Sequence, residues 1–159
     1  MNREILFKAK KINNGMWVEG GHYECAETTY CCKEDYERNP VPIHHYIAVE
    51  KMTDWGLPNE LTLQEVKPDT ICQYTGLKDK NGKKVFENDI IKNIFGKAYA
   101  PVRFGKYQNC FDSTSADHVG FYVDWNEKYD FRKDLGYWID MVDAEVVGNV
   151  FDNPELLEG

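Results

Sequence analysis

This chain has no apolar run of the roughly 18 residues that a membrane-spanning helix needs, and its opening residues, Met1-Asn2-Arg3-Glu4, lack the apolar stretch of a secretory signal. The expectation is a soluble, cytoplasmic protein with no membrane partner. Cations are also short: 19 Lys and Arg against 27 Asp and Glu leave a net charge of −8. Phosphate contacts supply most sequence-neutral affinity for nucleic acid, so an acidic chain is a poor candidate for that work. Cysteine is scarce and odd in number, at 25, 31, 32, 72 and 110, which argues for reduced thiols and against a disulfide framework. There is no G-x-S-x-G, no H-E-x-x-H and no C-x-x-C. No long helical period, internal repeat or low-complexity tract is visible.

What the chain does have is aromatic residues and punctuation. Ten Tyr, eight Phe and four Trp sit in 159 residues, a density that favours strands and offers amphipathic contact surface. Asn13-Asn14-Gly15 between Ile5-Leu6-Phe7 and Met16-Trp17-Val18 is a strong hairpin signal. Gly20-Gly21 reads as the release of the second strand, with His22 to Cys25 able to continue a sheet. The segments 26–42, ending in Asn39-Pro40-Val41-Pro42, and 53–60, with Trp55-Gly56-Leu57-Pro58, read as loops, where binding specificity is usually carried. Between them Ile43 to Val49 is β-compatible. Val66-Lys67-Pro68-Asp69-Thr70 marks a boundary between parts 1–66 and 67–159.

Short strands follow at Ile71 to Tyr74, Val85-Phe86, Ile90 to Phe95, Ala98 to Phe104, Gly120 to Trp125, Tyr137 to Met141 and Glu145 to Val150. Residues 105–119 form a polar insertion, and Asn153-Pro154 opens a final short helix. Many short strands with Gly and Asn/Asp turns indicate a mainly β protein, a sandwich or small barrel. The densest punctuation is GLKDKNGKKVFENDII, Gly76 to Ile91. Asp79-Lys80-Asn81-Gly82 is a reverse turn ending on Gly, and Glu87-Asn88-Asp89 is a second.

Three blocks, ILFKAKKINNGMWVEG (Ile5 to Gly20), VKPDTICQYTGLKDKNGKKVFENDII (Val66 to Ile91) and EVVGNVFDNPELLE (Glu145 to Glu158), resemble the YopX proteins, a family encoded by phages and prophages. Two positions depart from the family pattern: Asn88 stands where Gly is usual, and Ala9 near another Gly. Asn is the best non-Gly residue at positive φ, so the turn survives. The resemblance implies a mainly β protein of two small subdomains, the C-terminal one an SH3-like barrel, with short helical turns. It also implies a phage origin and hence a bacterial host cell. It transfers no catalytic residue and no cofactor, and segments 22–60 and 105–119 carry no family signature.

The residues themselves assemble no reaction. Cys25, Cys31, His44 and His45, with Cys32, are the candidates for a metal, but a zinc site needs four converging ligands and the spacing is not that of paired ligands. Gly76 to Lys83 is one residue too long for a phosphate loop and lacks the following Ser or Thr. Ser113, Ser115, His118 and Asp112 share a loop without the rigid frame a triad needs. Asp124, Asp130, Asp134, Asp140, Asp143 and Glu145 form an acidic set suited to solvation, to a divalent cation or to acid-base work, while Asp112, Asp117, Asp124, Glu127, Asp130 and Asp134 are the candidates for imitating nucleic acid. Lys78, Lys80, Lys83 and Lys84 read as a solvated hairpin tip. The aromatic set offers more. On an alternating strand Tyr122 faces opposite to Phe121, and Tyr122, Trp125 and Tyr137 are the candidate contact residues. The expected function is an accessory role through protein contacts, with an unidentified protein partner and self-association into a homo-oligomer.

Overall fold

The computed structural model describes residues 3–95 and 98–159. The chain is mainly β and divides into two compact units, 5–72 and 73–159, the second joined by Arg3 and Glu4.

In the first unit, β1 (Phe7–Lys10) and β2 (Trp17–Ala26) form the hairpin that Asn13-Asn14-Gly15 predicts, with Lys10 opposite Trp17. Gly15 takes φ +68°, which its missing Cβ allows. β2 does not stop at Gly20-Gly21. It runs on to Ala26 and pairs with β3 (Ile43–Lys51), which pairs with β4 (Glu60–Glu65). Gly20 is needed for close approach: a Cβ there would lie 1.9 Å from the Ala48 carbonyl oxygen. All pairings are antiparallel, in the order β4-β3-β2-β1. The sheet coils until the end of β4 meets the end of β1, where the Ile12 amide donates to the Glu65 carbonyl at 3.0 Å. Ala9, Ile47 and Val66 are buried inside this coil with Phe7, Val18, Val49 and Ile71 packed around them. Segment 26–42 holds a short helix, α1 (Lys33–Arg38), which buries no side chain and so leaves no apolar period to read.

The second unit opens with β5 (Cys72–Lys78) and β6 (Lys84–Phe86), joined by the Asp79 turn. Asp79 is 5% exposed, and its Oδ1 accepts the amides of Asn81 and Lys83, both at 2.9 Å. β7 (Asp89–Lys92), β8 (Tyr99–Tyr107), β9 (His118–Val123) and β10 (Glu145–Asn149) make a 4-stranded antiparallel sheet ordered β10-β7-β8-β9. Its outer strands, β10 and β9, do not pair with each other, so the unit is β as expected but the sheet is open and the SH3-like closure is not formed among the described residues.

The predicted strand at Tyr137 to Met141 is instead a π-helical turn, in which the Val142 amide reaches back to the Tyr137 carbonyl at 3.2 Å. It delivers Trp138 and Ile139 to one interior with Leu135 and Val142. The chain ends on a 3₁₀ turn, Pro154–Leu157, as Asn153-Pro154 predicts, although the Asn153 side chain makes no cap hydrogen bond. It accepts the Asn149 amide at 3.4 Å instead.

Candidate functional site

β8 and β9 extend the C-terminal sheet beyond its core and carry the polar loop 108–117 between them. The ring of Tyr107, at the end of β8, stacks on His118 and on Tyr122 of β9, with centroids 5.2 Å apart in each case. Its hydroxyl donates to Asp134 Oδ1 at 2.7 Å. Asp134 also accepts from Asn109 Nδ2 at 3.0 Å and from Arg132 Nε. Asn109 closes the frame from its other side, its Oδ1 accepting the Lys133 amide at 2.8 Å. One carboxylate thus ties residues 107–109 to residues 132–134.

The electrostatics follow the contacts. Burial and then the Asp134 hydrogen bond and charge push Tyr107 up to about 12, so it stays a neutral donor. For Asp134, burial acts against the charged form, but the hydrogen bonds from Tyr107 and Arg132 outweigh it and hold the carboxyl below its ordinary value. His118 Nε2 lies 2.7 Å from Asp112 Oδ2, so the structure pairs two of the four residues that a triad would use. Cys110 lies on the same loop, but its hydrogen bond to Asp130 raises the thiol and disfavours the nucleophilic thiolate. What these groups form is a hydrogen-bonded frame, with its strongest acceptor already filled.

Beside the frame lies an aromatic groove of about 480 Å³, walled by Phe95, Phe111, Tyr129, Phe131, Tyr137 and Trp138. Arg132 enters it between two rings, its guanidinium carbon 5.3 Å from the Phe111 centroid and 5.2 Å from that of Tyr137. The Trp138 indole N–H donates to the Arg132 carbonyl at 2.6 Å, fixing the floor. A larger polar hollow of about 720 Å³ adjoins it and shares Tyr129, Asp130 and Phe131.

Of the predicted contact residues, Tyr137 is 37% exposed on the groove wall and Tyr122 is half-buried in the ring stack. Trp125 is 3% exposed, packed 4.7 Å from Trp138, which places it in the core and not on a contact surface. Phe111, Arg132, Tyr107 and Asn109 were not legible as site residues. The one local signal was the Asn109-Cys110-Phe111-Asp112 tetrapeptide, an Asn/Asp turn that projects a Phe, with the Asp112 amide donating to the Asn109 carbonyl at 3.1 Å.

The other candidates stand apart. His44 and His45 point to opposite faces of β3. His44 pairs with Glu65 and Glu27, and His45 Nδ1 lies 3.0 Å from His22 Nε2. Cys25 and Cys31 are exposed. Among the described residues, no group of three or more His, Cys, Asp or Glu is placed to hold a metal ion. Three members of the acidic set are answered by cations: Asp117 by Lys106 at 3.8 Å, Glu145 by Lys80 at 3.3 Å, Asp134 by Arg132.

The family model described as "YopX protein" matches residues 6–158. The chain belongs to the YopX family. Among solved structures it is similar to that titled "Crystal structure of protein EF1440 from Enterococcus faecalis", at 21% identity over 98% of this chain and 99% of that chain, with a TM-score of 0.43. No curated protein matches. The groove of this YopX-family chain is lined by Asn93, Phe95 and Ala98, by Phe111 and by residues of 129–138, outside the Ile5–Gly20, Val66–Ile91 and Glu145–Glu158 blocks that carry the resemblance. No helix among the described residues is long and apolar enough to cross a membrane.

Proposed function

We propose that this YopX-family protein is a phage accessory factor that works by protein contact, presenting the Phe111–Tyr137 groove to an apolar or aromatic side chain of a partner polypeptide in the bacterial cytoplasm. The observation that carries this reading is the groove itself: six aromatic residues, two of them flanking one guanidinium, on a frame pinned by Asp134. Aromatic residues and Arg supply most of the energy of protein interfaces, and a rigid frame lowers the entropy lost on binding. The polar groups beside it are spent on each other, which suits positioning better than catalysis.

A photo-crosslinking residue at position 111 tests it. In host cells carrying the phage, a discrete protein should be captured from position 111, captured less in the Tyr137→Ser background, and not captured from the fully exposed position 55. Equal capture from both positions, or none from 111, removes the reading.

A further inference from the structure

The edges of the sheets show where a second chain fits. An edge strand presents unpaired backbone donors and acceptors, and proteins blunt such edges with bulges, charges or covering segments. Both edges of the C-terminal sheet are blunted. β10 carries a bulge between Val146 and Gly148, and its Val146 amide is taken by the buried Asp79 carboxylate at 3.1 Å. β9 is strapped by the following segment, with the Val123 amide donating to the Lys133 carbonyl at 2.8 Å and Tyr122 bridging Asp134.

β4 has neither device. It pairs with β3 without a register shift from Tyr46–Glu65 to Lys51–Glu60 and carries no Lys, Pro or Gly. The Val66 amide donates to the His45 carbonyl on β3, whereas the Glu65 carbonyl turns outward to accept from Ile12. Hydrogen-bonding direction alternates along an antiparallel strand, so Leu61 and Leu63 also direct their amides and carbonyls outward. Beyond Glu65, where Ile12 docks, no other backbone bond is made along this edge among the described residues. The same two residues are 72% and 54% exposed, side by side on one face of the sheet.

We propose that β4 is a self-association edge, pairing antiparallel with β4 of a second copy about a two-fold axis at Thr62. The sequence of the strand selects both occupant and register. With Thr62 opposite Thr62, each Leu61 faces the partner copy's Leu63 and both backbone bonds of the pair form, while each Glu60 faces a Gln64. The four leucines then make one continuous apolar strip, and no like charges meet. Moving the centre to Leu63 sets Leu61 against Glu65, whose carbonyl is already used by Ile12. Self-complementarity of this kind is what a two-fold interface requires. The proposal rests on reading the protein as one that works through contacts, and it names one of those contacts.

The test uses the purified full chain with no partner present. Light scattering over a concentration series should give twice the chain mass at the upper end, and hydrogen exchange at those concentrations should slow the amides of Leu61 and Leu63 specifically. Leu63→Pro removes an outward amide that takes no part in the β3 ladder, and should return the protein to monomer with its circular dichroism unchanged. If Leu63→Pro does not fold, the Leu61→Lys, Leu63→Lys double variant, changed only at exposed side chains, should be a folded monomer. A wild-type monomer up to the solubility limit overturns the proposal. So does a dimer whose Leu61 and Leu63 amides still exchange fast, or a folded double variant that remains dimeric. None of these results bears on crosslinking from position 111, so the two readings fail separately.

Discussion

Asp79 and Val146 are 67 residues apart in the chain, and the carboxylate of one accepts the backbone amide of the other at 3.1 Å in a buried setting. The turn between β5 and β6 therefore also finishes the edge of β10. With its Oδ1 accepting two local amides, Asp79 has both oxygens engaged. In Asp79→Asn an amide group must face one of these donors. A buried polar group deprived of its partner costs about 2 kcal/mol, so chemical denaturation should show a loss of that size. Exchange of the Val146 amide should rise with it. An unchanged midpoint would mean that the turn forms without the carboxylate.

Gly20 and Gly21 are neighbours in β2 with opposite demands. A Cβ on Gly20 lands on the Ala48 carbonyl, whereas one on Gly21 meets nothing within 4 Å. Neither residue needs a positive φ, so the contrast isolates space from backbone freedom. Gly20→Ala should destabilise the first unit by about 3 kcal/mol, at the upper end of overpacking costs. Gly21→Ala should stay within about 0.5 kcal/mol of the parent, as exposed substitutions do. Thermal unfolding of the two variants side by side checks both values.

Turn chemistry is what the sequence displays most openly. The hairpin at Asn13-Asn14-Gly15 and the two turns of the central block stand where Gly and Asn place them, because φ > 0 is available to few residue types. Helical order was harder to see. Leu135, Trp138, Ile139 and Val142 are buried at spacings of three, one and three residues, a helical pattern masked by the β-favouring character of Tyr137-Trp138-Ile139. α1 buries nothing, so it has no pattern to detect. The groove was the least legible, since Phe111, Arg132 and Tyr137 stand apart in the chain and are brought together by hydrogen bonds of Asp134, Asn109 and Trp138.

Asn88 occupies the one turn position at which the chain departs from the family's Gly, and its φ of +65° shows that the backbone keeps the left-handed conformation. Its side chain accepts a hydrogen bond from Arg103 as well. Asn88→Gly should be close to neutral, because the relief of strain is offset by the lost bond. Asn88→Ala loses the bond and keeps the strain, at about 1–2 kcal/mol. Equilibrium unfolding of both variants gives the order: parent and Gly together, Ala below.

His22 and His44 should titrate in opposite directions although both belong to one sheet. The His22 ring lies 5.2 Å from that of His45 and nearly parallel to it. Burial first, and then the His45 charge, lower its pKa against the opposing pull of Glu24. On the other face, the hydrogen bonds that His44 donates to Glu65 and then Glu27 raise its own value. A lowered value means that the folded state prefers neutral His22. That stability is present above the ordinary value of about 6.5 and is lost as pH falls through the folded value. For His44 the sign reverses: the contribution is complete below about 6.5 and is lost as pH rises through its folded value. Imidazole resonances followed by NMR should give a midpoint below 6.5 for His22 and above it for His44, and Glu65→Gln should bring the His44 midpoint down while leaving that of His22 in place. Coincident midpoints would mean that neither the stacked pair nor the Glu65 contact persists in solution.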